Sequence, residues 1–433
     1  MGPTTVKPTG KKAPTILDVL NANLEPCYNR IISHLDVPDM LRLFATCRTI
    51  HSIYYCIFNI DAHLRQFFKD PLVFRQAMAD YDLIVGGSVA LKLFAREKWT
   101  TKDLDVYTNS LSSLRKTAQV LTKEKFKFAP FPWQSRSIES SLANAGSVGT
   151  KWRMFENADV ADERIQSAFS YKSYQGQEIR DVYRFENKSA GLHIDVILTK
   201  GPALQAIIGG YYATYIMNFF TYNRAYNLFP YHTIIRKEGF QTVSDMSEKR
   251  EEAMKKYRGR GYKITSYGTY HSCKIECPIR PHRRVGDMFT WTIDLPINGI
   301  RLPSNPIPLE TYTFGIKAHR SWRTTTSRSF ASLSNLKLEM AIFQHKKLEF
   351  PLLVDKMESA GCWKEFLNSM LQRVTAQEAD ADPELADPWL QKDTIINGQQ
   401  QYFDRDVEGY YKFWYQYIMP REAIWKGQYP MLQ

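Results

Sequence analysis

Asp103 and Asp105 sit two residues apart in the stretch DLIVGGSVALKLFAREKWTTKDLDVYTN, residues 82–109, and no other part of the chain carries as much chemistry. In a strand, side chains two apart project to the same side, so both carboxylates face one point. Two carboxylates held that close repel each other unless a divalent cation lies between them. Upstream, Gly86-Gly87-Ser88 joins a short apolar strand (Leu83, Ile84, Val85) to an apolar helix pattern (Val89, Ala90, Leu91, Leu93, Phe94). Glycines let the backbone approach a phosphate closely, and the N–H groups at a helix start favour its negative charge. A third acid, Asp195, stands alone among hydrophobes in Gly191-Leu192-His193-Ile194-Asp195-Val196-Ile197-Leu198. A Gly-Gly-Ser turn by itself is commonplace, and so is an Asp-x-Asp at a strand end. In the order strand, Gly86-Gly87-Ser88, helix, Asp103-x-Asp105 they suggest a device for holding a metal-bound nucleoside triphosphate, with the Gly-Gly-Ser turn on the phosphates and the acidic pair on a divalent cation.

The elements that must position these groups are a strand, a helix starting at the glycines, a second strand with the acidic pair, and a later strand with the third acid. This order resembles the nucleotidyltransferase superfamily typified by DNA polymerase beta. The wording Gly-Gly-Ser-Val-Ala-Leu, with Thr100, Thr101 and Lys102 before the acids, is similar to its antitoxin–toxin branch. The resemblance implies metal-dependent nucleotidyl transfer with Asp103, Asp105 and Asp195 as the catalytic, metal-binding acids. The gap from Ser88 to Asp103 is longer than in compact members, which implies a longer helix or connecting loop.

Residues 16–66 are apolar at helical spacing. Leu24-Glu25-Pro26, Ile31-Ile32-Ser33-His34-Leu35-Asp36-Val37-Pro38-Asp39-Met40-Leu41-Arg42-Leu43 and Thr46-Cys47-Arg48 together resemble an F-box, although Leu-Glu-Pro replaces the Leu-Pro opening. In that family the motif docks on the Skp adaptor of a cullin-type ubiquitin ligase. The other reading is a helical cap on the catalytic domain. The two resemblances occur together in fungal proteins with an F-box-like start and a nucleotidyltransferase-like core, and they cover roughly residues 16–265.

Composition bounds the rest. With 433 residues, 44% hydrophobic and 13% aromatic, the chain can bury a sizeable core in two or three domains. No apolar run of membrane-spanning length occurs, and residues 1–15, with three prolines and three lysines, read as a flexible tail without a signal peptide. Six irregularly spaced cysteines point to reduced thiols and an intracellular home, cytoplasmic or nuclear. The formal charge of +12 is modest, but residues 249–284 concentrate basic side chains among tyrosines, around Lys255, Lys256, Tyr257, Arg258, Arg260, Tyr262 and Lys263. Such a segment can bind phosphates and stack bases, or can be a charged surface helix (247–257) running into a loop. His271, Cys273, Cys277 and His282 offer four possible zinc ligands, against a strand-like alternation in the same stretch. Phe128, Phe131 and Trp133 could stack a base or fill the core. No Gly-x-Ser-x-Gly elbow or Cys-His nucleophile pattern is present.

The expected fold is α+β: a flexible tail (1–15), an F-box-like helical region (16–75), a nucleotidyltransferase-type mixed sheet (76–235) and a mixed C-terminal domain (236–433). Further expectations are helices over 111–122 and 202–222, with Asn218 reaching the site. Strands are expected over 178–185, 288–295 and 311–316. A mobile loop is expected over 135–149, helices over 333–350 and 351–373, an acidic loop over 377–388 and an aromatic closing segment over 403–425. The expected function is nucleotidyl transfer to an unidentified hydroxyl. The alternative is a ubiquitin-ligase adaptor on an inactive nucleotidyltransferase fold.

Overall fold

The computed structural model describes residues 30–145, 178–243, 248–265, 282–320, 334–356, 362–381, 395–396, 399–400 and 402–418. Asp36 caps helix α1 (Val37–Phe44) by accepting from the Asp39 amide at 2.8 Å, with Pro38 in the first turn where a missing N–H costs nothing. Short helices α2 (Arg48–His51), α3 (Tyr54–Ile57) and α4 (Ile60–Leu64) follow. Helix α5 (Pro71–Asp80) is capped by Asp70.

The chain then lays down β1 (Ile84–Gly86), α6 (Gly87–Ala95), β2 (Asp103–Thr108), α7 (Leu111–Lys123), β3 (Lys127–Phe128) and α8 (Ile138–Ala143). After these come β4 (Ile179–Asn187), β5 (Leu192–Thr199), α9 (Ala203–Gly210), β6 (Asn218–Phe220) and β7 (Arg224–Asn227). These strands form a mixed sheet in the order β11-β7-β6-β1-β2-β5-β4-β3, closed at one edge by β11 (Trp291–Asp294). Only β2 and β5 run parallel; the other pairings are antiparallel. The α+β class with a large mixed sheet is thus present. Its edge strand comes from beyond residue 235, where the expected C-terminal region begins.

Alternation along the central strands splits their side chains between two cores. Leu104, Val106, Val85, Ile194 and Val196 belong to one cluster, which also buries Ile32, Met40, Phe44, Ile53, Phe58 and Leu64. The N-terminal helices are therefore built into the sheet's packing. Buried Arg75 of α5 fastens them: its guanidinium donates to the Tyr222 carbonyl at 2.6 Å and to that of Pro296, and pairs with Asp61 at 3.0 Å. Ile32 is fully buried, and Ile31 and Leu35 pack against the same cluster.

The opposite face carries Ile84, Tyr107 and Ile197. It is covered by α9, by α10 (Glu248–Gly259) and by C-terminal strands and helices that include Trp363, Tyr411 and Trp414. Beside α10 lies a small parallel pair, β8 (Glu238–Phe240) and β9 (Lys263–Thr265). Further strands are β10 (His282–Arg284), β12 (Thr313–Arg320), β13 (Ser334–Glu339), β14 (Ala341–Phe343) and β15 (Leu352–Val354). Two helices, α11 (Trp363–Ala381) and α12 (Val407–Phe413), follow.

These expectations are corrected. The helix expected over 202–222 stops at Gly210, and Asn218 begins β6. The stretch 333–350 holds β13 and β14 in place of a helix, because Leu336, Leu338 and Met340 alternate with Lys337 and Glu339 and the i, i+4 match was incidental, and the helix expected over 351–373 is preceded by β15 and starts at Trp363. The expected loop at 135–149 holds α8, with residues beyond 145 outside the described set. The first part of 377–388 continues α11, and the rest lies outside the described residues. The tail 1–15 also lies outside them. Among the described residues no helix is long and apolar enough to cross a membrane.

Candidate functional site

Gly86 ends β1 opposite Asp105 of β2, and Asp105 lies beside Asp195 of β5, so the turn and two of the acids share one line across the sheet. Paired residues on neighbouring strands project to the same face, so Asp103, Asp105 and Asp195 all stand on one side. Neighbouring strands lie about 4.8 Å apart, which keeps the Asp105 and Asp195 backbones adjacent. Asp103 is paired in the same way with His193. The long gap after Ser88 is taken up by a nine-residue helix and a connection that starts at Arg96, where φ is +50°.

Helix α6 begins at the glycines without a side-chain cap. Gly87 has φ +72°, and a β-carbon there would meet Asp105 Oδ2 at 2.5 Å. The Asp105 carboxylate is thus packed against the N-terminal end of α6. Ser88 is buried, and its hydroxyl has no partner among the described residues. Below Gly86, Tyr211 and Tyr107 join their hydroxyls at 2.9 Å. Burial first, then the neighbouring Tyr107 and Asp105, pushes the Tyr211 phenol well above its ordinary range, so it stays protonated. Tyr107 follows Asp105 by two residues and could have been read from the strand period. Tyr211, which reaches in from the chain after α9, gives no such signal.

Asp195 is fully buried, and Arg184 of β4 grips it through both oxygens: Nε to Oδ1 at 2.8 Å and Nη2 to Oδ2 at 2.7 Å. His193 Nε2 stands 4.0 Å from the same carboxylate. The expected role of Asp195 as a metal ligand therefore meets a competitor that no local pattern announces, since the β4–β5 register is a tertiary fact. Among the described residues, no three His, Cys, Asp or Glu side chains come together as a metal-holding group. Asp103 and Asp105 remain as half-buried oxygen donors. That set fits magnesium, which commonly takes one or two carboxylates and completes its shell with water and substrate phosphate.

The remaining candidates divide. Phe131 and Trp133 stack at 5.1 Å inside the core, and Phe128 packs on Phe185, so the three rings are packing groups. Asn218 alternates with Phe219, whose partner Gly86 faces the acids, so its side chain points to the other face and donates to the Tyr215 carbonyl. His282 is bonded through Nδ1 to Asp355 and through Nε2 to the Tyr411 hydroxyl, which removes it from the proposed zinc set. His271, Cys273 and Cys277 lie outside the described residues. Of the basic segment, residues 249–265 and 282–284 are described. The end of α10 comes to the acids' side: the buried Tyr257 phenol is pushed well above its ordinary range by burial, opposed by Arg260 and reinforced by Asp103 and Asp105.

Comparison of the chain with protein-family models, curated proteins and solved structures yields no match.

Proposed function

We propose that this chain transfers a nucleotidyl group from a nucleoside triphosphate to an acceptor hydroxyl. The observation that carries the reading is the Gly86-Gly87-Ser88 helix start packed against Asp105, with Asp105 in register beside Asp195. Asp103 and Asp105 would hold Mg²⁺ or Mn²⁺, whose chemistry is to neutralise phosphate charge and polarise the reacting phosphorus centre. The backbone at Gly87 and the unpartnered Ser88 hydroxyl would take phosphate oxygens. In the transfer, the acceptor oxygen bonds to the α-phosphorus, the bond to the bridging oxygen breaks and pyrophosphate leaves. The hydroxyl proton passes to a carboxylate or to water. Loss of positioning groups in such chemistry costs orders of magnitude in rate. Incubation with labelled triphosphates and Mg²⁺ tests the reading, with labelled product expected from the wild type and none from Asp103→Ala/Asp105→Ala. Equal labelling by both would sink it.

One observation favours a second reading. Arg184 pairs with Asp195 through both oxygens, which suits a protein that binds the triphosphate without transferring it, such as an adaptor on a silent fold. In that case the wild type would bind Mg²⁺·ATP and yield no product. Capture of a Skp-type adaptor is less supported, because Ile32, central to the F-box-like motif, is spent in the core.

A further inference from the structure

Arg260 follows α10 directly, and its guanidinium carbon stands 4.5 Å from the Trp99 ring centre and 5.0 Å from that of Tyr257. Rings hold a guanidinium by its faces and leave its in-plane N–H donors to find acceptors elsewhere. Nη1 of Arg260 is shut off from solvent, yet it meets no acceptor among the described residues, and no carboxylate there pairs with it. Two neighbours share the condition. Trp99 Nε1 and the Tyr262 hydroxyl are buried without partners, and their rings lie 6.3 Å apart.

A second cation approaches the same place. Lys92 stands four residues after Ser88 on α6, so the two share a helix face. Its ammonium donates to Gln66 Oε1 at 3.2 Å and is held below its ordinary range by burial and then by the charge of Arg260. A buried polar group left unpaired is destabilising. Several donors and two like charges gathered beside a pair of carboxylates therefore describe a site for a ligand that is anionic and rich in acceptors.

We propose that Arg260, Trp99 and Lys92, with Ser88 at the near end, form the subsite for the β- and γ-phosphates of the nucleoside triphosphate. This rests on the transfer reading for its ligand. A triphosphate tail supplies acceptors for Arg260 Nη1 and Trp99 Nε1 and opposes both cations, while its α-phosphate extends towards Asp103 and Asp105. Arginine suits the place because its planar fork can stack and donate at once, which lysine cannot do.

Calorimetric titration of metal-free inorganic tripolyphosphate, and separately of Mg²⁺·ATP, into the full chain tests the assignment. The proteins are wild type, Arg260→Gln, Arg260→Lys and Lys92→Gln, with thermal unfolding of each as the folding control. The expected result is that wild type binds both ligands, Arg260→Gln weakens both roughly tenfold to a hundredfold, and Arg260→Lys falls between. Wild-type affinity for both ligands in folded Arg260→Gln would overturn the subsite and leave the transfer reading standing. Arg260-dependent tripolyphosphate binding without Mg²⁺·ATP binding would keep the anion subsite and remove the transfer reading. Failure of the wild type to bind either ligand overturns both. If Arg260→Gln does not fold, Lys92→Gln decides: a weakened affinity supports the subsite and an unchanged one overturns it. Single-stranded oligonucleotide binding that is lost in Arg260→Gln, without tripolyphosphate binding, would assign the cations to a nucleic-acid backbone and overturn the proposal.

Discussion

Gly87 shows how much of the site hangs on one absent side chain. Its φ of +72° lies in the region where a β-carbon strains the backbone, and that carbon would press on Asp105 Oδ2 at 2.5 Å. The Gly87→Ala chain should be less stable by roughly 1–2 kcal/mol from the backbone alone. It should also bind Mg²⁺·ATP more weakly, because Asp105 must move. Urea unfolding and a binding titration check the two effects, and an unchanged unfolding midpoint would mean the left-handed turn is not needed. Gly87, Ser88, Asp103 and Asp105 were legible in the sequence because each belongs to a short local pattern. Arg260 was legible only as one member of the basic, tyrosine-bearing segment, and Arg184 and Tyr211 were not legible, because folding is what brings them beside Asp195 and Tyr107.

Strands were easier to find than to place. Alternating runs marked β1, β2, β4 and β5 closely, but nothing in them states that β5 lies parallel beside β2 or that Arg184 falls opposite Asp195. Helix reading failed where short apolar runs fit two periods, at 202–222 and 333–350. The β4–β5 register has an energetic consequence. Removing one member of a buried ion pair strands the other, at a cost of about 3–5 kcal/mol, while replacing both with apolar groups is often near neutral. Arg184→Met should therefore destabilise the chain strongly, and Arg184→Met/Asp195→Leu should recover most of the loss. Denaturant unfolding of the single and double variants measures it. A double variant as unstable as the single one would show that the pair does not act as a unit.

At the scale of the whole molecule, buried titratable groups give stability a pH dependence with opposing parts. Asp181, buried at the start of β4, has its carboxyl pushed up to about 6 by burial, against the Val182 amide and Gln134, which favour the ionised form. The unfolded chain gives up this proton near its ordinary value of 3.8, so between about pH 4 and pH 6 the folded state holds more of the proton. Stability must then fall as pH rises through that window, by about 3 kcal/mol for a shift of this size. Asp82, pushed up to about 6 by burial and then by Glu349, adds a slope of the same sign. His63 works the other way: burial holds it down to about 4, the unfolded chain takes up its proton first as pH falls, and stability drops towards acid. The wild-type curve mixes these slopes, so the difference between wild type and Asp181→Asn isolates one of them. Asparagine keeps an oxygen for the Val182 amide and Gln134 and cannot ionise. Its advantage over wild type in denaturant unfolding should be larger at pH 7 than at pH 4 by about 3 kcal/mol, opening between the two. A difference that stays constant across that range would mean that Asp181 does not carry its proton into the folded state.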